Sequence, residues 1–396
     1  MRLPLAAAAL VTMLAACAAP GPTAPAATDR PPALRVAAFN VALNDNAPGG
    51  VIARLEAGDE AARKVAAVIQ RVRPDILLIN EIDHDDALRA AEIFQRDYLE
   101  VGQFGNEPIR YAHRFATPVN TGEPSGLDLD GDGTSDGPND AWGFGRHPGQ
   151  YAMLLLSRFP IDAERARTFR MLPWSAMPGA LRPINPDGTP FHPDAIWNVL
   201  RLSSKSHWDV PVSTPFGELR LLASHPTPPA FDGPEDRNGT RNHDEIRLFA
   251  DYIAGGERAT WIVDDAGGRG GIPEGARFVI VGDQNADPND GSSRERAIHQ
   301  LLEHPKVHAD PLPRGSGGGA EAAARAGEAN LEHRGDPDLD TSSFSPRVGN
   351  LRVDYALPSR NVEVVGSGVF WPRADEPGHD WAAASDHRLV WVDIRW

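Results

Sequence analysis

Residues 277–291, RFVIVGDQNADPNDG, constrain the fold more than any other stretch. Phe278, Val279, Ile280 and Val281 form an apolar, β-branched run of the kind that is buried as a strand. The run breaks at Gly282 into Asp283, Asn285, Asp287 and Asn289. A buried strand that ends in clustered carboxylates and amides places polar groups at the rim of an α/β sheet. Taken alone, the same segment reads equally well as an Asx-rich turn closing a strand.

The pattern recurs along the chain. Residues 34–43, LRVAAFNVAL, read as a strand with Asn40 near its end. Residues 53–72 have helical spacing, with Leu55, Ala62, Val65, Val68, Ile69 and Val72 on one face. Pro74 stops that helix, and residues 75–82, DILLINEI, read as a second buried strand. Strand, helix, strand opens a layered α/β domain. A helix is predicted at 87–94, a strand at 151–156, and a hairpin from 210–212 and 218–223 around Pro215-Phe216-Gly217. Further helices are predicted at 242–253 and 292–302, and strands at 351–357, 362–370 and 389–394. Three irregular stretches, 104–150, 161–205 and 303–347, read as insertions; within the last, residues 311–347 contain Gly-Ser-Gly-Gly-Gly and read as a long loop. Loops of this length in a compact domain are unusual unless functional.

Residues 1–16 read as a targeting segment. Arg2 gives a short basic start, and the apolar run 3–16 is too short to span a bilayer. Leu14-Ala15-Ala16-Cys17 looks like a bacterial lipobox, with cleavage before Cys17 and lipid on its sulfur. Cys17 is the only cysteine, so an internal disulfide is excluded. An ordinary secretory signal with an incidental cysteine is the alternative. Residues 17–33, rich in Ala, Pro and Thr, suit a flexible tether, and the domain proper spans 34–396. The expected location is extracytoplasmic, anchored to the cell envelope at the outer membrane or the cell surface according to host. The net charge of −16 argues against unspecific adhesion to nucleic acid. It does not exclude a nuclease, because a bound divalent cation supplies positive charge locally.

Six strand ends carry groups capable of metal or phosphate chemistry: Asn40, Glu81, His225, Asp283 with Asn285, Asp354, and Asp386 with His387. Each has a plainer reading: Asn40 as a turn residue, Glu81 paired with a surface Arg, His225 as a satisfied core histidine, Asp386-His387 as a capped turn. Their recurrence at the same end of apolar strands is harder to reduce to turns. The segments AFNV (38–41), INEI (79–82), SRFPI (157–161), ASHP (223–226), VGDQNAD (281–287), RVDYAL (352–357) and SDHRLV (385–390) follow one another in that order. This ordered set resembles the endonuclease/exonuclease/phosphatase superfamily, which includes pancreatic-type deoxyribonucleases, abasic-site endonucleases, sphingomyelinases and inositol-phosphate phosphatases. The resemblance covers roughly residues 34–396.

The resemblance implies an α/β (α+β) fold: a four-layer sandwich of two mixed β-sheets flanked by helices, with the active site at one end. It implies a metal-dependent phosphoesterase acting on diesters or monoesters through attack of water, with Mg²⁺ (or Mn²⁺) as cofactor. Glu81 is the expected metal ligand, a hard carboxylate suited to Mg²⁺. Asn40 adds an amide oxygen or orients Glu81, and Asp386 serves a second metal. Asp283 positions or deprotonates the water, and Asn285 fixes the water or the phosphate. His387 donates to a phosphate oxygen or acts as an acid/base, with Asp354 orienting its ring and raising its pKa. His225 contacts phosphate. Two departures stand out: Asn80 precedes Glu81 where relatives have Gln, and the polar run after Asn285 continues to Asp290.

Asp128, Asp130, Asp132 and Asp136, with Gly133, match the first nine positions of a calcium loop, although Asn139 stands where a Glu belongs. A structural Ca²⁺ loop that stiffens the insertion is expected; a solvated acidic turn is the alternative. His333, Arg334, Asp336 and Asp340 read either as a substrate-facing loop or as a solvated one, and Asn242, beside His243, reads as a helix cap. The expected partners are a phosphoester substrate and, through Cys17, the membrane; no protein partner is inferred and a monomer is expected. Two alternatives remain: an extracellular nuclease specifically, or a non-catalytic envelope lipoprotein that retains the fold for binding. No Arg/Lys stripe lies near the motifs, which leans away from long duplex DNA.

Overall fold

In the computed structural model, which describes residues 33–396, the apolar runs form two mixed sheets packed face to face. The signal, the tether and Cys17 fall outside the described residues, apart from Ala33. The strands are β1 (Leu34–Leu43), β2 (Ile76–Ile82), β3 (His113–Phe115), β4 (Met153–Ser157), β5 (Arg167–Thr168), β6 (His207–Thr214), β7 (Gly217–Ser224), β8 (Phe278–Asp283), β9 (Ser342–Ser343), β10 (Asn350–Leu351), β11 (Asp354–Pro358), β12 (Glu363–Val369) and β13 (Val390–Arg395). The first sheet has the order β12-β13-β1-β2-β4-β3 and the second β11-β8-β7-β6-β5. Only β1/β2 and β7/β8 are parallel neighbours; the other pairs in both sheets are antiparallel. The helices are α1 (Gly50–Glu56), α2 (Glu60–Val72), α3 (Arg89–Ile93), α4 (Asp194–Trp197), α5 (Arg237–Ala254), α6 (His299–Leu302), α7 (Gly318–Ala326) and α8 (His379–Ala382).

Side-chain alternation, with its period of two, assigns each strand residue to a layer. Leu34, Val36 and Ala38 of β1 and Ile76 and Leu78 of β2 face the second sheet, where they meet Leu219, Leu221 and Ala223 of β7 and Val279 and Val281 of β8. The intervening residues Ala37, Phe39 and Val41 face outward onto Val65, Val68 and Ile69 of α2. On the far side, Leu222, Phe278 and Ile280 pack under Phe249 and Ile253 of α5. The result is the expected four-layer α/β sandwich.

The helices depart from the sequence reading where backbone conformation intervenes. The single helix predicted over 53–72 is two: Gly58 takes φ +86°, and Asp59 then caps α2 by accepting from Ala62 N at 2.9 Å. The helix predicted over 87–94 is α3, which continues as a π-turn through Leu99. Of the helix predicted over 292–302 only α6 forms, because Glu295 and Arg296 sit in the left-handed region at φ +49° and +58°. α5 begins five residues earlier than predicted, so Asn242 is not a cap. It is fully buried one turn inside the helix, and its Nδ2 donates to Thr227 O (2.8 Å) and Gln284 O (2.9 Å). The long loop 311–347 contains α7, whose start abuts the 371–372 backbone. A Cβ on Gly318 would lie 2.4 Å from Pro372 O, so only glycine fits there.

Candidate active site

Alternation that fills the space between the sheets with apolar groups also aims the polar residues. Asn40 continues the inward row of β1, and Asp283 continues the inward row of β8 after Val279 and Val281. His225 follows β7 on the parity of Leu221 and Ala223, and Asp354 pairs directly with Asp283 across β11/β8. The polar groups therefore emerge at one end of the sandwich, where the inter-sheet core stops. Glu81 has the outward parity of Leu77 and Ile79; its φ of +60° breaks that alternation at the strand end. Gly282 lets β8 approach β7, since a Cβ there would lie 2.0 Å from Ser224 O.

Asp283 is the hub. It is 1% exposed. Its Oδ2 accepts from Asn40 Nδ2 at 3.1 Å and lies 3.4 Å from His225 Nε2 and 3.7 Å from His387 Nε2. Its Oδ1 accepts from Asn285 N at 2.8 Å. Burial would push this carboxyl up, but the His387 cation, the His225 contact and the Asn285 N–H outweigh it and hold it far below the carboxylate range.

His387 Nδ1 lies 2.9 Å from Asp354 Oδ2, both groups being buried. Burial disfavours the imidazolium, yet the carboxylates of Asp354 and Asp283 outweigh it and raise the His387 pKa. The ring is therefore a cation held between two carboxylates. Thr341 Oγ1 accepts from Val353 N and Asp354 N, and Ser385 Oγ, which donates to Asn40 O, accepts from His387 N. These contacts fix the pair from both sides.

Glu81 is the most accessible of the carboxylates in this group, its side chain 24% exposed. Its Oε2 accepts from Asn44 Nδ2 at 3.0 Å, whereas Oε1 accepts no hydrogen bond from any described residue and lies 3.9 Å from His225 Nε2. His225 is 2% exposed, and its Nδ1 is buried without a hydrogen-bond partner among the described residues. Burial, then the nearby Lys205 cation, lower its pKa, so the ring is neutral. Asn285 (φ +51°) donates through Nδ2 to Pro226 O at 3.0 Å.

Asn40, Glu81, His225, Asp283, Asn285, Asp354 and His387 thus lie at one end of the sandwich, with Asn40 touching Asp283 rather than Glu81. Asp386 stands next to His387 and its charge helps to raise that ring, but it makes no hydrogen bond or ion pair with any of them. Its side chain is exposed, and its backbone O accepts from Ser343 N. The expected calcium ligands separate too. Asp128 and Asp130 cluster with the buried Asp140, whereas Asp132 is turned onto Thr134 N and Oγ1, and Asp136 lies outside the cluster. The polar run after Asn285 braces loops. Asp287 accepts from Asn289 N, Asp290 N and Arg352 N, and Asp290 from Arg334 N and Gly335 N.

Four neighbours of the site were not assigned a role from the sequence: Asn44, Asn80, Thr341 and Lys205. Asn80, fully buried, accepts from Asp283 N at 3.3 Å and so ties the two sheets at the site. Its place just before Glu81 was the one available hint. Beside the site, a cavity of about 290 Å³ is lined by Val51, Ile52, Asp83, His84, Glu123 and His147 among others. Burial raises the Asp83 carboxyl there to about 6.

The sequence model of the Endonuclease/Exonuclease/phosphatase family matches residues 37–387. No curated protein gave a match. Among solved structures, an endonuclease/exonuclease/phosphatase from Beutenbergia cavernae DSM 12333 superposes with a TM-score of 0.50 at 19% identity, over 92% of this chain and 71% of that one. An endonuclease/exonuclease/phosphatase family protein from Leptotrichia buccalis C-1013-b gives 0.47 at 12% identity, over 92% and 100%. Sphingomyelinase C from Streptomyces griseocarneus gives 0.45 at 16% identity, over 91% and 99%. At 19% identity the first of these likenesses is one of fold.

Proposed function

This chain belongs to the endonuclease/exonuclease/phosphatase family, and from that premise we propose that it is a metal-dependent hydrolase of phosphoester bonds working at the cell envelope. The observation that supports the reading best is the convergence of five polar residues, Asn40, His225, Asn285, Asp354 and His387, around Asp283 and Glu81. A turn or a simple binding surface has no need of a buried imidazolium clamped between two carboxylates.

Glu81 fits a hard divalent cation. Its Oε1 accepts no hydrogen bond among the described residues and its side chain reaches water, as Mg²⁺ requires when it keeps most of its hydration shell. The Asp283–Asp354–His387 cluster is the tighter group of candidate ligands, but both nitrogens of that ring face carboxylates and the ring is charged. Mg²⁺ or Mn²⁺ at Glu81 would neutralise phosphoryl oxygens and the leaving group.

The protein groups divide the remaining work. Asp283, held ionised, accepts a hydrogen bond from the attacking water and aims it; so depressed a pKa makes it an orienting group more than a strong base. His387 Nε2 carries the proton and donates it toward a phosphoryl oxygen, while Asp354 keeps the imidazolium charged. The amide of Asn285 fixes the water or the phosphate beside it. Neutral His225 donates from Nε2 at the same rim. Asn40 and Asn80 hold Asp283 in register.

A panel of plasmid DNA, RNA, bis-p-nitrophenyl phosphate, p-nitrophenyl phosphate and inositol phosphates, with and without Mg²⁺, tests the reading. Metal-dependent hydrolysis of at least one is expected, and silence across the panel sinks it. The envelope location rests on Leu14-Ala15-Ala16-Cys17. Mass spectrometry should find lipid on Cys17, and Cys17→Ser should release the protein from membranes.

A further inference from the structure

The chain has only three lysines, Lys64, Lys205 and Lys306. The Lys306 Nζ donates to Ile253 O and Ala254 O. Lys205 is different. It is 6% exposed, yet its ammonium makes no hydrogen bond or ion pair with any described residue. An ammonium has three donors and no acceptor, and burying it unpaired is costly.

Its backbone is held firmly. Lys205 O accepts from Asn120 N at 2.9 Å, and Ser204 N donates to Glu245 Oε1 at 2.6 Å. The β6/β7 register, with His207 opposite Ser224, continues toward residues 204–206 beside 225–227. Lys205 therefore stands at the strand end that carries His225. Burial lowers its pKa, opposed by the negative charges of Glu245, Glu81 and Asp283. Glu245 is already committed: Oε1 accepts from Ser204 N and Oγ, and Oε2 from Thr227 N. A lysine buried over most of its length thus presents its ammonium at the site with its donors unspent.

We propose that Lys205 is a catalytic residue that donates to a non-bridging oxygen of the substrate's phosphoryl group. The inference rests on the phosphoesterase reading above. Charge supports it. Glu81 and Asp283 bring two carboxylates and the Asp354–His387 pair is neutral overall, so without Lys205 a single divalent cation would bring the site only to neutrality. With Lys205, a single divalent cation leaves the site net positive.

Binding of inorganic phosphate in the presence of Mg²⁺, followed by calorimetry, tests the inference without relying on turnover. Lys205→Met and Lys205→Gln should each weaken phosphate binding at least tenfold. Lys205→Arg should retain part of the affinity, and Lys306→Met should leave it unchanged. Circular dichroism identifies the folded variants; if Lys205→Met does not fold, the neutral Gln variant decides. Wild-type affinity in a folded neutral variant overturns the inference, as does a wild-type protein that fails to bind phosphate. Phosphate binding that depends on Lys205 in a protein that hydrolyses nothing upholds this inference and sinks the phosphoesterase reading instead.

Discussion

Two regions of this molecule are rich in carboxylates, and they are built in opposite ways. At the end of the sandwich, Asp283, Asp354 and Glu81 come from strands far apart in sequence, and their partners are side chains from the opposite sheet or a neighbouring strand. In the 128–140 loop the carboxylates are near neighbours and are satisfied mostly by their own backbone. Asp128 accepts from Gly131 N and Gly133 N, Asp130 from Asp132 N, and Asp132 from Thr134 N. Local carboxylates can fold the chain around themselves. Distant ones are held by the sheets whether or not they suit each other, which is how an imidazolium and two carboxylates are kept buried together. The first arrangement makes a turn; the second stores reactive chemistry.

The contrast can be broken first at its strongest point. Asp283→Asn and His387→Ala should each lower kcat/KM by about 10²–10³ while leaving the circular-dichroism spectrum intact. An effect under threefold in steady-state rates would mean that the strand-end cluster is scaffolding. Asp354→Asn should act through His387. Because the Asp354 carboxylate raises that imidazolium, its loss lowers the His387 pKa, and the alkaline limb of the pH–rate profile should move to lower pH.

Stability separates the regions as well. His207, at the start of β6, is fully buried, and burial pushes its pKa down to about 4. Its contribution is intact above the unfolded value near 6.5. As pH falls from there to about 4, the unfolded chain takes up a proton that the folded one refuses. Urea unfolding should therefore register a loss of about 3 kcal/mol across that window. Within the acidic loop only Asp140 should matter. It is 2% exposed and accepts from Leu129 N and Gly137 N, so Asp140→Ala should cost about 1–3 kcal/mol in chemical denaturation. Asp132 is exposed and serves only its own turn, so Asp132→Ala should give no measurable change in melting temperature.

Much of this was legible in the chain itself. The strand at 34–43 is found with its predicted bounds because its inward and outward rows are both apolar, as burial between the second sheet and the helix layer requires. Two of the helix errors share a cause: residues in the left-handed region, Gly58 and the pair Glu295 and Arg296, interrupt helices that side-chain spacing would continue. Asn238-Gly239-Thr240 looks like a turn but lies in the first part of α5. The helix start is held there by Asn238 bonding to Asp232 and to Ala230 O.

The sequence by itself determined which residue types end which strands, and alternation then determined that Asn40, His225, Asp283 and Asp354 point into the gap between the sheets. That follows from local geometry and needs no knowledge of the rest. Tertiary structure alone decided the partners. It put Asn40 on Asp283 across 243 positions, turned Asp386 out to solvent, replaced Asp132 and Asp136 with Asp140, and brought Lys205 from an irregular segment to the edge of the site. Such pairings depend on how two sheets stack and where loops return. No periodicity within a single segment encodes a distance between segments.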